Sequence, residues 1–281
     1  MSQSFLSGVD LDAFVRQTLA EDLGEGGDVT SAATIPAEAR LEAVMASRDD
    51  VTVAGLPLAA MFFRALDPEV HIQQPVEDGA QVAAGTTLMR LFGNARALLT
   101  AERSALNTIQ HLTGIATMTR AYVDAIAGTG CILLDTRKTI PRLRALEKYA
   151  TRMGGAENHR MRLDDGVLIK DNHIAVAGGV AEAVRRAKAA GLSLPIQVEV
   201  DRLDQIEPAL VAGADRLLLD NMTPDLLRAA VELVRGRVPT EASGGVRLDT
   251  IRAIAGTGVT YVSVGRITQS APAADIGFDY A

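Results

Sequence analysis

Five basic residues and two carboxylates crowd the ends of short apolar runs in the second half of the chain. Cys131-Ile132-Leu133-Leu134 leads into Asp135-Thr136-Arg137-Lys138, and Val167-Leu168-Ile169 leads into Lys170. His159 and Arg160 lie in the segment between these two runs. Arginine forks hold carboxylates through paired bonds, and lysines act as point charges. Such a set suits a small polyanion, with a solvated charged face as the plain alternative. Glu199 and Asp220 end the next two runs, Ile196-Gln197-Val198 and Leu217-Leu218-Leu219. Two carboxylates at neighbouring tips share a Mg²⁺ ion, pair with lysines, or act as acid and base. The residues alone leave all three open. Two later tips, Ser243-Gly244-Gly245 and Gly265-Arg266, bring glycine where backbone N–H groups approach a phosphate, or where a tight turn needs it.

The elements that must position these tips follow from their order. Six apolar runs, the last two being Glu241-Ala242 and Tyr261-Val262-Ser263-Val264, alternate with helix-like stretches. That alternation implies parallel βαβ units closed into a barrel, whose C-terminal strand ends carry the chemistry. Helices are expected over 142–153, 180–190, 203–212, 224–235 and 248–255. Upstream, a helix over 11–19, strands over 41–53 and 70–92, and a long helix over 98–122 form a separate region. The hairpin at Val76-Glu77-Asp78-Gly79 has no lysine at its tip for a biotinyl or lipoyl group, so it reads as a structural turn pair. The division is residues 1–112, then 113–266, then a tail, 267–281, returning to the first domain as an edge strand. Of the remaining histidines, His71 and His111 read as structural. His173 reads equally as loop-shaping or catalytic.

Composition narrows the partner. The chain has 281 residues and a formal net charge of −7, which argues against a nucleic-acid backbone as ligand. Basic residues nevertheless concentrate between Arg137 and Arg162, against the global sign, which favours a small anion. The single cysteine, Cys131, allows neither an internal disulfide nor a cysteine metal site. Met1–Leu6 lacks the features of a signal peptide, and no apolar stretch is long enough to span a bilayer. A cytoplasmic setting is the expectation.

These motifs resemble one family. Asp135-Thr136-Arg137-Lys138-Thr139, Leu146-Glu147-Lys148-Tyr149-Ala150, Asn158-His159-Arg160 and Leu168-Ile169-Lys170-Asp171-Asn172-His173 closely resemble the quinolinate phosphoribosyltransferases. The likeness continues through Glu199-Val200, Leu219-Asp220-Asn221-Met222, Glu241-Ala242-Ser243-Gly244-Gly245 and Ser263-Val264-Gly265. Upstream, Glu21-Asp22-Leu23-Gly24 and Arg103-Ser104-Ala105-Leu106-Asn107 fit as well.

The resemblance implies an α/β protein: an open N-terminal α/β sandwich followed by an incomplete parallel α/β barrel. It implies conversion of quinolinate and phosphoribosyl pyrophosphate to nicotinate mononucleotide, pyrophosphate and CO₂, with Mg²⁺. It further implies a homodimer or larger assembly. Within it, Arg137, His159, Arg160 and Lys170 would hold the quinolinate carboxylates, with Thr136 in the substrate set and Lys138 near the reaction centre. Arg103 would reach the neighbouring subunit's site. Glu199 and Asp220 would serve the ribose and metal, and Ser243, Gly244, Gly245, Val264, Gly265 and Arg266 would cradle the ribose phosphate. A molybdenum-transport-associated relative, a nicotinate-using transferase and a silent phosphate-ligand sensor are the rivals. The chain departs from the family at Arg142, Ala156 and Arg162, where many members have glycine.

Overall fold

A computed structural model describes residues 9–281; Met1–Leu6, read above for a leader, lies outside the described residues. The chain forms two compact units. One holds the chain through Arg120 together with Ala145–Gly155 and Ala271–Ala281; the other holds Ala121–Arg144 and Ala156–Ser270.

The first unit begins with helices α1 (Leu11–Leu23) and α2 (Val29–Thr34), capped by the side chains of Asp10 and Asp28. Strands β1 (Arg40–Ser47), β2 (Val51–Thr52), β3 (His71–Gln73), β4 (Gln81–Val82) and β5 (Thr87–Asn94) follow. Helix α3 (Leu56–Leu66) interrupts them. The main sheet is antiparallel, with β1, β5 and β3 in that order, and the last strand of the chain, Ile276–Tyr280, joins it at the edge of β1. Helix α3 starts from Gly55 at φ 101°. Its first N–H groups, on Gly55 and Leu56, donate to the Asp78 carboxylate at 2.8 and 3.0 Å, so the hairpin turn serves as a remote helix cap. Burial pushes the Asp78 carboxyl above the usual range, although the Tyr149 hydroxyl donates to it at 2.6 Å. Tyr149 lies on α5 (Arg144–Met153), expected above as a barrel helix; residues Ala145–Gly155 instead group with the first unit.

Helix α4 (Ala95–Ala125) is longer than the expected 98–122. It buries Leu98, Ala101, Ala105, Ile109, Leu112 and Ala116 at helical spacing. The C-terminal tail lies against it: the Ala274 N–H donates to the Gln110 carbonyl at 3.0 Å, and the Gln110 amide donates to the Ile276 carbonyl at 2.8 Å. Gly114 makes this approach possible, because a Cβ there would overlap the Pro272 carbonyl oxygen.

The second unit is a six-stranded parallel sheet of β6 (Ile132–Leu134), β7 (Val167–Ile169), β8 (Ile196–Val200), β9 (Arg216–Asp220), β10 (Thr240–Ser243) and β11 (Tyr261–Ser263). The strand order is β6-β11-β10-β9-β8-β7. The edges β6 and β7 do not pair with each other, so the barrel is open rather than closed; Glu157 adds a single parallel bridge outside β6. Helices α6 (Asp171–Ala177), α7 (Val180–Ala189), α8 (Ile206–Val211), α9 (Pro224–Val234), α10 (Ile251–Ala255) and α11 (Arg266–Gln269) connect or follow the strands. Arg142 sits at φ 71°, in the left-handed region that favours glycine. No helix of the described residues is long and apolar enough to cross a membrane.

Replacing Gly114 by Ala should lower the unfolding free energy by about 1–3 kcal/mol, because the tail backbone must move off α4. Urea unfolding checks this, and an unchanged midpoint would contradict the packing described.

Candidate active site

Side chains alternate along a strand, so residues two apart share a face. In this sheet that rule sends Leu168 and Lys170, Leu218 and Asp220, and Glu241 and Ser243 to the wall of one cavity of about 720 Å³. Every expected site residue of the second unit lines it: Thr136, Arg137 and Lys138 after β6, His159 and Arg160, Lys170 after β7, Glu199 of β8, Asp220 of β9, and both glycine tips through Arg266. Arg103 is exposed on α4 in the first unit and is not among the lining residues.

The cationic wall rests on a buried anchor. Asp135 is fully buried, and its carboxylate accepts from the Asn158 side chain at 2.5 Å and from the His159 N–H at 2.8 Å. That ties the 158–160 segment to the end of β6. The Arg160 Nη1 donates to the Gly166 carbonyl at 2.8 Å. The Nε atoms of both Arg137 and Arg160 are buried without a hydrogen-bond partner. Burial, then the charge of Arg137, pulls the Arg160 guanidinium below its usual pKa. Both guanidiniums stand in the wall of the cavity, where they repel each other.

The carboxylates stand on the neighbouring strands β8 and β9. Lys170 Nζ donates to Glu199 Oε2 at 2.7 Å. The Asp220 carboxyl is pushed up by burial and then by the negative charge of Glu199. Asn221, at φ 54°, donates its amide to Asp220 Oδ2 at 2.6 Å. The turn at Gly244 is built around this amide: a Cβ on Gly244 would overlap Asn221 Oδ1. Gly265 performs a similar service for Lys138, whose Cδ would lie 2.7 Å from a Cβ at that position. The Thr268 hydroxyl donates to the Lys138 carbonyl at 2.7 Å. His173 accepts the Lys170 N–H on Nδ1 at 3.0 Å, which is the loop-shaping alternative.

Several lining residues escaped the sequence reading: Glu241, Asn221, Arg247 and Gln269. Glu241 is fully buried, and its Oε2 accepts from Gln197 at 2.7 Å. The same oxygen lies 3.5 Å from His159 Nε2 and 3.7 Å from an Arg216 nitrogen. Burial raises its carboxyl, but the hydrogen bonds of His159, Gln197 and Ser263 outweigh this and hold it below the usual range. The available signal was positional, since Glu241 stands two residues before Ser243 on the same strand.

Comparison with known proteins gives the family. Residues 28–113 match the model of the quinolinate phosphoribosyl transferase N-terminal domain, and residues 115–279 match that of the C-terminal domain. The nicotinate-nucleotide pyrophosphorylase (carboxylating) of Mycobacterium leprae is 43% identical over 282 residues, covering 98% of this chain and 99% of that protein. The solved nicotinate-nucleotide pyrophosphorylase of Francisella tularensis superposes with a TM-score of 0.92 at 40% identity, covering 96% of each chain. That of Ehrlichia chaffeensis gives 0.93 at 37% identity, covering 97% of this chain and 99% of the other. The chain belongs to the quinolinate phosphoribosyltransferase family and is an enzyme with that family's nicotinate-nucleotide pyrophosphorylase (carboxylating) activity, in NAD biosynthesis.

Proposed function

We propose that the cavity holds quinolinate against its cationic wall and phosphoribosyl pyrophosphate against its glycine tips, with Arg137, Arg160 and Lys170 taking the two carboxylates. The observation that carries this is the convergence of Arg137, Arg160 and Lys170 with the glycine tips on one cavity, where the charge of Arg137 is felt at Arg160. His159 lies in the wall of the same pocket. Lys138 sits near the reacting centre, between β6 and the Gly265 turn. The backbone of Ser243, Gly244, Gly245, Val264, Gly265 and Arg266 receives phosphate oxygens, as glycine-rich βα turns do.

Glu199 and Asp220 are the candidate holders of Mg²⁺. Among the described residues no group of three or more His, Cys, Asp or Glu could hold a metal ion. A carboxylate pair suits Mg²⁺, which keeps waters and takes its other ligands from substrate phosphates. The upward push on Asp220 from Glu199 is a repulsion that a cation relieves. When bound, Mg²⁺ supplies neutralisation of the pyrophosphate leaving group.

The chain's own part is orientation and charge. Arg137, Arg160 and Lys170 hold the pyridine ring so that its nitrogen lies in line with the ribose C1. Departure of pyrophosphate leaves positive charge on C1, which the ring nitrogen then quenches. Loss of CO₂ from the position beside that nitrogen leaves an electron pair that the cationic ring stabilises until a proton from water takes it. Fixed cations around the carboxylates keep the geometry through both stages. The cytoplasmic setting and an assembly in which Arg103 completes the partner's site belong to the same proposal. The family resemblance and the exposure of Arg103 on α4 support the shared site.

Three outcomes follow. Quinolinate should turn over and nicotinate should not, since the missing carboxylate leaves buried cations unpaired at a cost of about 2–5 kcal/mol. Product analysis for nicotinate mononucleotide and CO₂ decides, and comparable use of both acids sinks the assignment. Asp220→Ala should lower kcat/KM by about a hundredfold or more and flatten its Mg²⁺ dependence, while calorimetry still detects quinolinate binding. Arg103→Ala and Lys138→Ala should each be nearly inactive alone. Mixed with subunit exchange, about half the dimers pair one of each, and one site in each such dimer is intact, so about a quarter of all sites recover. A mixture that exchanges yet stays inactive places Arg103 outside the partner's site.

A further inference from the structure

His159 carries the most specific unexplained geometry in the cavity. The backbone N–H of Arg160 donates into its Nδ1 at 2.8 Å. A nitrogen that accepts a hydrogen bond has its lone pair in use and bears no proton. The proton of the ring is therefore on Nε2, which faces the fully buried Glu241 carboxylate at 3.5 Å. Both ring nitrogens are thus turned to the protein, and the side chain is only 11% exposed.

We infer that His159 acts as a neutral positioning residue, protonated on Nε2 alone, and that it presents no charge to the dicarboxylate. This rests on the binding mode proposed above and gives His159 a different part from that of the cations around it.

The surrounding groups agree. Glu241, on β10, has partners besides the imidazole: Gln197 of β8 at 2.7 Å and Arg216 of β9 at 3.7 Å. Arg216 is itself stacked over the Tyr261 ring of β11 at 3.9 Å, so it is held in place beside the carboxylate. Asp135, at the end of β6, accepts the backbone N–H of His159 rather than a ring nitrogen. Arg137 and Arg160 line the same cavity as His159. A proton on Nδ1 would face the Arg160 N–H donor head on, and a charged ring would add to the positive charge already lining the cavity. The neutral ring instead links the floor of the barrel to the backbone of Arg160. It thereby fixes the base of an arginine that lines the cavity.

The test uses the full-length enzyme with ring-¹⁵N-labelled histidine. Only four histidines are present, His71, His111, His159 and His173, and His159→Gln identifies the signal. Two-bond ¹H–¹⁵N spectra near neutral pH should show His159 with a proton on Nε2 only, both free and with saturating quinolinate. Two protonated ring nitrogens in the complex, or a proton on Nδ1, would overturn the inference. The quinolinate Kd of the wild type should not weaken progressively as pH rises through the ordinary histidine range; a tenfold loss per pH unit there would also overturn it. His159→Ala should weaken quinolinate by about tenfold through loss of the link to Arg160. His159→Gln, neutral but able to donate to Glu241, should weaken it less; equal losses count against the neutral role. The free-enzyme spectrum needs no ligand, so failure of quinolinate to bind would refute the binding mode while leaving the protonation state decided on its own.

Discussion

The cavity of the second unit depends on one unfavourable arrangement: two guanidinium groups that feel each other's charge, each with an Nε donor that the protein does not satisfy. Arg137 and Arg160 repel, and each leaves a buried Nε without a partner. Proteins hold such groups only where the surroundings over-determine them. Here Asp135 ties down the backbone that carries Arg160, and His159 ties that backbone to Glu241. Across the cavity Lys170 is occupied by Glu199, and Asp220 by Asn221. The resting site is a set of charges already fixed in position, so that little reorganisation is left when an anion enters.

The glycines fit the same scheme. Gly244 and Gly265 matter less for bending the chain than for the space they leave. One yields its Cβ volume to the Asn221 amide and the other to the Lys138 stem. The glycine turns and the polar side chains of the cavity are therefore packed against each other, and a side chain at either glycine would press on Asn221 or Lys138.

Much of this site was legible in the sequence because strand periodicity and polar tips are local signals. Lys170, Glu199, Asp220 and Ser243 each end an apolar run, and parallel βα units bring such ends together. Glu241 was missed because a carboxylate inside a buried strand looks like a surface residue until its partners on two other strands, Gln197 and Arg216, are known. Helix α3 was missed for two reasons. Leu58, Ala59, Ala60, Phe62 and Phe63 are all buried, so no polar face marks a period. Its cap, Asp78, also comes from another segment. Helix α6 buries no residue and so lacks an apolar stripe to read. The placement of Ala145–Gly155 with the first unit depends on long-range packing that no window of sequence contains.

The central claim is that Arg137 and Arg160 are held at an energetic cost for the sake of a dianion. Thermal unfolding of wild type and Arg137→Met, each with and without quinolinate, tests it most directly. Removing one guanidinium relieves the repulsion, so the ligand-free variant should melt at or above the wild-type temperature. The quinolinate-dependent rise in melting temperature should disappear with it. A variant that melts below wild type when empty, or that keeps the full quinolinate shift, would contradict the account.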